Sequence, residues 1–222
     1  MLKLAKPSAR KFAPKLCGVE ITAVRSGSSL GFGEVAELVA KELILDPANL
    51  DFSNIIADQA EIRKYNPQRF EMEQLTAIIH EDTDRHICVG YKDITLDEFW
   101  VRGHMPNMPL MPGVMMLEAA AQMCSYFSQK YDLLGAAMVG FGGLEEVRFR
   151  DPVIPGDRLV LMCEMTRLRR GRIVVTKFQG FVRNSMVVEG VLKGIPIPIE
   201  VVSSQLARAA EYEASNERES AN

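Results

Sequence analysis

Apolar and polar positions change their period twice along this chain. In "AIIHEDTDRHICVGYKDI", from Ala77 to Ile94, two apolar runs flank a polar turn, Glu81 to Arg85, which predicts a pair of strands. From about Val114 to Tyr131 the pattern is helical and apolar almost all round: Val114, Met115, Met116, Leu117, Ala119, Ala120, Ala121, Met123, Cys124, Tyr126 and Phe127 cover most of the circumference. The polar residues Glu118, Gln122, Ser125 and Gln129 follow at spacings of four, three and four, so they form one narrow stripe. That stripe either meets water or faces an interior site. One acid and no base is sparse for a solvated face. Three β-rich runs follow, "DRLVLMCEMTRLRR", "RIVVTKFQGFVR" and "MVVEGVLKGIPI", with "RRGR" and "RNS" as hairpin turns between them. Strands, one helix, then a meander predict an α+β domain in which an antiparallel sheet wraps one long central helix.

Outside that body the patterning weakens. "SGSSLGFG", Ser26 to Gly33, has linker composition, and "EVAELVAKELI" after it has helical spacing closed by Pro47. The expected division is a partly disordered N-terminal extension over 1–54, a folded domain over 55–202 and a polar, acidic tail over 203–222. No internal repeat is visible.

Composition narrows the function classes. The 222 residues suffice for one substantial domain or two small ones, and 47% hydrophobic with 25% charged residues is ordinary for a globular protein. A formal net charge of −3 gives no reason to expect a nucleic-acid partner. Cys17, Cys88, Cys124 and Cys163 are widely spaced among apolar neighbours, which predicts buried reduced thiols and a cytoplasmic setting rather than disulfides. No apolar run approaches the ~20 residues of a membrane span. Lys3, Lys6, Arg10, Lys11 and Lys15, without an acid or an apolar core segment, argue against a secretory signal peptide. An organellar transit peptide, a disordered tail and an upstream start are the alternatives. No metal-ligand spacing occurs among the three histidines and the scattered cysteines.

The candidate chemistry lies in "RGHMPNMPLMPGVMMLEAAAQMC", Arg102 to Cys124. Pro106, Pro109 and Pro112 stiffen a corridor that holds His104, and the corridor runs into the helix that holds Glu118. Pro112 and Gly113 stand just before the helix, so first-turn N–H groups without intrahelical partners can hold a developing oxyanion. His104 can exchange a proton near neutral pH. A carboxyl in so apolar a helix should resist ionisation unless it is paired. A base, an acid and an oxyanion donor suit proton abstraction beside a carbonyl followed by loss of a β-substituent. Taken alone, His104 reads more readily as a structural loop histidine than as a catalytic one.

"GHMPNMPLMPGVMMLEAAAQ" closely resembles the signature of the 3-hydroxyacyl-[acyl-carrier-protein] dehydratases, hot-dog-fold enzymes of type II fatty acid synthesis. His104, Pro106, Pro109, Pro112, Gly113, Val114, Glu118, Ala119, Ala121 and Gln122 fall in register with it. "VRFRDPVIPGDRL" resembles the family's second hallmark, an aromatic strand leading into P-V-x-P-G-D, and "IRKYNPQRF" its segment before the first strand. The resemblance implies that His104 is the base at the substrate α-carbon and that Glu118, from the opposite protomer, assists departure of the hydroxyl. It implies that the Gly113 N–H binds the thioester oxygen and that Gln122 orients Glu118. Pro112, Val114 and Met105 join Gly113 and Gln122 as expected substrate-binding positions. It also implies a homodimer or a trimer of dimers, an acyl carrier protein as partner, and no cofactor or metal. Glutamate at 118 resembles the dehydratase-only branch; the dehydratase–isomerase branch has aspartate there.

The chain departs from the pattern at Met105, usually phenylalanine, at Asn107, usually glycine, and in "RFEMEQL", which is more polar than its counterpart. Arg167, Arg169, Arg170 and Arg172 surround one turn, "TRLRRGR", where they could dock an acidic carrier protein or form an ordinary charged hairpin tip. Met105, Met108, Met111, Met115 and Met116 could line an adaptable acyl tunnel, with core packing as the alternative. Two other functions are weighed. A hot-dog acyl thioesterase generally relies on a carboxylate without a corridor histidine, and a non-catalytic acyl-binding protein would lack His104 or Glu118.

Overall fold

Burial on nearly every side fixes the position of the long helix. The structure, a computed structural model, describes residues 43–200 and 202–208. The predicted linker at Ser26 to Gly33 and nearly all of "EVAELVAKELI" lie outside those residues. A short helix α1 (Gln59–Ile62) precedes strands β1 (Ala77–Asp82) and β2 (Ile87–Asp93). The long helix α2 (Gly113–Lys130) follows, then β3 (Val139–Phe149), β4 (Arg158–Arg169), β5 (Ile173–Val182) and β6 (Ser185–Pro196). Twelve of the eighteen residues of α2 are buried, so it is the centre of the domain.

The six strands form one antiparallel sheet in the order β1-β2-β4-β5-β6-β3. Consecutive strands β4, β5 and β6 pair as a meander through the two predicted turns. The connection carrying α2 separates β2 from β3, which lies at the far edge beyond β6. Alternation along the strands points Ile78, Cys88, Leu159, Leu161, Cys163, Val174 and Phe178 at α2, together with Met123, Tyr126 and Phe127 of the helix. This is the expected α+β hot-dog arrangement, a sheet around one helix.

The opposite face of β1, β2 and β4 is apolar too. Ala77, Ile79, Val89, Tyr91, Val160 and Met162 form a second buried cluster with Ile44, and Leu43, Leu45 and Leu50 pack against it. The Ile44 N–H donates to Gln179 Oε1 at 2.9 Å. Packed chain therefore begins upstream of the expected boundary at residue 55, because a sheet buried on both faces needs a cover for its outer side. Residues 202–208 are helical, and 203–208 are exposed, so a helix stands at the start of the expected polar tail.

Cys88, Cys124 and Cys163 are free and buried, as their apolar neighbours predict, while Cys17 lies outside the described residues. Burial pushes the Cys88 and Cys163 thiols well above the usual range. Among the described residues no helix is long and apolar enough to cross a membrane.

Candidate active site

His104 sits in a loop whose backbone is tied at four points. The Trp100 carbonyl accepts from the N–H groups of Gly103 and His104 at 3.0 and 2.8 Å. Leu110 N–H donates to the His104 carbonyl at 2.9 Å, and Met111 N–H donates to the Val153 carbonyl at 2.8 Å. Val153 belongs to the "PVIPGD" turn, where Gly156 takes φ +95°, a conformation glycine adopts without steric cost. The second sequence hallmark thus supports the first.

The His104 ring is oriented by the same loop. Its Nδ1 lies 2.8 Å from the Leu110 carbonyl oxygen. A carbonyl only accepts, so Nδ1 carries the hydrogen and the neutral ring keeps its lone pair on Nε2. The side chain is exposed.

Pro112 stands at the N-cap position of α2 with no capping hydrogen bond from its side chain, and Gly113 opens the helix. Among the described residues neither the Gly113 nor the Val114 N–H donates a hydrogen bond, so both stand at the positive end of the helix dipole. A Cβ on Gly113 would lie 2.8 Å from two ring carbons of Phe149 on β3. A larger residue there would require the half-exposed Phe149 ring to move. Val114 is exposed on the first turn.

Glu118 is half-buried one turn further on, and its expected partner is present. Gln122 Nε2 donates to Glu118 Oε1 at 2.7 Å and also to the Met72 carbonyl at 2.6 Å. Gln122 Oε1 accepts from the Gln74 N–H at 2.9 Å, and the Gln122 carbonyl accepts from Asn66 Nδ2 at 2.9 Å. Glu73, in the same segment, is held by Arg63, whose guanidinium keeps the Glu73 carboxyl below its ordinary range. Gln122, only 2% exposed, therefore fixes Glu118 and the 66–74 segment at once. Gln122→Leu keeps the approximate size of the side chain but orphans the Gln74 N–H and the Met72 carbonyl. It should cost about 1–3 kcal/mol and lower the melting temperature by about 2–10 °C. Calorimetry checks this, and an unchanged melting temperature would show that the clamp does not hold the segment.

Two members of the polar stripe of α2, Glu118 and Ser125, face a cleft rather than an open surface, while Gln122 is buried and Gln129 is half-buried. Glu118, Ala121, Cys124 and Ser125 form one wall of a cleft whose other walls include Gln68, Val139, Gly140, Phe141, Val174 and Thr176. His104 and the corridor residues are not among its walls. The structure therefore gathers Pro112, Gly113 and Val114 next to the corridor, and places Glu118 at the cleft with Gln122 buried behind it.

The five methionines divide. Met111, Met115 and Met116 are buried in the main core, which answers to core packing, while Met105 and Met108 are exposed on the corridor. Arg170 is an ion-pair partner of Asp132 and donates to its carbonyl as well, which ties the β4–β5 hairpin to the loop after α2. Arg167, Arg169 and Arg172 are exposed, with no ion pair among the described residues. This hairpin is tied to the loop that follows α2, a helix about 27 Å long at 1.5 Å per residue. Sequence reasoning missed Gln68, Asn66, Gln74 and Thr176. They lie in a polar segment and on a strand, where no period marks a side chain as facing a cleft.

Residues 66–190 match the family model of the FabA-like domain. The 3-hydroxyacyl-[acyl-carrier-protein] dehydratase FabZ of Hydrogenobaculum sp. is 35% identical over 149 residues, 65% of this chain and 98% of that protein. FabZ of Desulfotalea psychrophila is 35% identical over 128 residues, 57% of this chain and 84% of its own length. Two solved structures share the fold at 16% identity. The dehydratase heterocomplex ApeI:P from Xenorhabdus doucetiae has a TM-score of 0.54, covering 64% of this chain and 95% of that one. A sigma28-regulated virulence protein from Campylobacter jejuni has a TM-score of 0.51, covering 67% and 96%. The family model takes in more than half of the residues, and a FabZ dehydratase aligns over almost its whole length, so the chain belongs to the FabA-like, hot-dog family.

Proposed function

We propose that the protein dehydrates (3R)-hydroxyacyl thioesters carried on acyl carrier protein to the trans-2-enoyl thioesters, in fatty acid biosynthesis. The observation that carries this reading is the Nδ1 contact of His104 with the Leu110 carbonyl, which leaves Nε2 as the basic atom. Nε2 takes the proton from the α-carbon, and the electrons of that bond form the new double bond. The C3–O bond breaks as Glu118 gives the hydroxyl a proton, and water leaves. The thioester oxygen gains negative charge meanwhile and is met by the Gly113 N–H at the helix start. Return of the proton from His104 to Glu118 closes the cycle. The overall change is loss of water with no net oxidation, so the residues supply all the acid–base chemistry. Purified protein with 3-hydroxyacyl carrier-protein thioesters of graded length tests this by the appearance of enoyl product. Release of free thiol in place of enoyl product would make the protein a thioesterase.

The site is shared between two copies. Within one chain the cleft that holds Glu118 does not include His104 among its walls. The cleft is walled by the start of β3, the edge strand, which exposes Phe141, Leu144 and Phe149. An unpaired edge with exposed aromatic residues is satisfied by the same strand of a second copy. A homodimer so formed brings the corridor of one protomer to the Glu118 cleft of its partner, and three such dimers can assemble further.

Arg167, Arg169 and Arg172 form the carrier-docking surface of this reading, with Arg170 committed to Asp132. Arg169→Glu with Arg172→Glu leaves the Asp132 tie intact and should slow carrier-bound substrate by about tenfold, sparing a pantetheine mimic. Added salt should reproduce the loss in the parent, since exposed attraction is screened over ~8–10 Å. Equal low-salt rates on carrier-bound substrate would reduce these arginines to a solvated tip.

A further inference from the structure

The polar stripe of α2 continues beyond the residues that the reaction uses. Ser125 lies seven positions past Glu118, about 10 Å along the helix at 1.5 Å per residue, and lines the same cleft. Thr176 on β5 lines it as well. Ser125 is 8% exposed and Thr176 1%. Among the described residues neither hydroxyl makes a side-chain hydrogen bond. A helical serine commonly bonds the carbonyl four residues back, here that of Ala121, and Ser125 does not. Gln68 adds a third polar group to the cleft, a buried Oε1 without a partner. The neighbouring walls include Ala121, Cys124, Val174 and Leu192, and the other charged or polar side chains of the cleft are Glu118 and Lys193.

An alkyl chain laid in this cleft would leave the Ser125 and Thr176 hydroxyls and the already buried Gln68 Oε1 with nothing to bond, whereas an oxygen on the chain would give a hydroxyl a partner. A cleft for plain chains would carry alanine and valine at 125 and 176 with no change of shape. We propose that the cleft is built for an acyl chain bearing a second oxygen function, a hydroxyl or keto group, on its distal carbons, which Ser125 and Thr176 bind. The inference rests on the dehydratase reading and names the substrate class of that same site. The distal oxygen takes no part in the reaction, so its contribution is to binding and appears in KM.

The experiment uses pairs of carrier-bound 3-hydroxyacyl thioesters, identical but for a terminal hydroxyl, over a range of chain lengths. At one length the parent should prefer the hydroxylated member in kcat/KM by about tenfold, the worth of one well-placed hydrogen bond. Ser125→Ala with Thr176→Val should abolish the preference, slowing the hydroxylated substrate and speeding the plain one. Thr176→Ser in an otherwise parental chain should retain the preference, and melting temperatures of all variants guard against misfolding. The proposal is overturned if the parent turns over the plain member as well at every length. It is also overturned if the double variant changes both members alike, since the hydroxyls then hold water or merely pack. Failure of the parent to dehydrate either member would instead overturn the dehydratase reading.

Discussion

His104→Ala and Glu118→Gln should each reduce dehydration by about 10²-fold or more, since a positioned acid or base contributes ~10²–10⁴. The two lesions act by different routes. Alanine removes the Nε2 lone pair and also the ring contact to the Leu110 carbonyl, whereas glutamine keeps the shape of Glu118 but cannot deliver a proton. Each falls mainly on kcat, because the lost interaction is made only in the transition state. The double variant should be little worse than either single one, as both groups serve one step. His104 is exposed and Glu118 lines a cleft, so neither replacement should disturb the core. Steady-state kinetics with a folding check by circular dichroism decide the matter. A folded variant with near-parental kcat would remove that residue from the chemistry.

Mixing those two inactive proteins should restore activity, and this is the second large effect. If each site takes His104 from one protomer and Glu118 from its partner, a mixed dimer contains one site with both lesions and one with neither. Random exchange of equal amounts should therefore return about a quarter of the parental activity, starting from almost none. Subunit exchange is followed independently by native mass spectrometry of differently labelled chains. Exchange without recovery would place both residues in one protomer. Variants that weaken the β3 edge, such as Phe141→Asp, should lower activity and dimer content together.

Much of the fold could be read from the chain because its signals are local. The two hairpin turns, the strand pair around Glu81 to Arg85 and the long helix follow from period and turn residues, and each falls within a few positions of its predicted limits. β3 was legible only as an aromatic stretch before "PVIPGD". Its sequence, VGFGGLEEVRF, does not alternate because the strand carries two irregularities, between Phe141 and Gly143 and between Glu145 and Arg148. The outer cover was not legible, since Leu43 to Leu50 show no feature that says which surface they meet.

The site divides in the same way. By itself the sequence determined the corridor, the Pro-Gly helix start and the Glu118–Gln122 spacing, because a four-residue step places both side chains on one helical face. It also marked the stripe through Ser125. Only the tertiary structure decided that Glu118 and Ser125 of the stripe face a cleft, that Gln122 holds the 66–74 segment, and that Arg170 is committed to Asp132. Those contacts join residues some forty to fifty positions apart. Period and spacing report a few neighbouring turns of chain, whereas such contacts exist only once the sheet has closed around its helix.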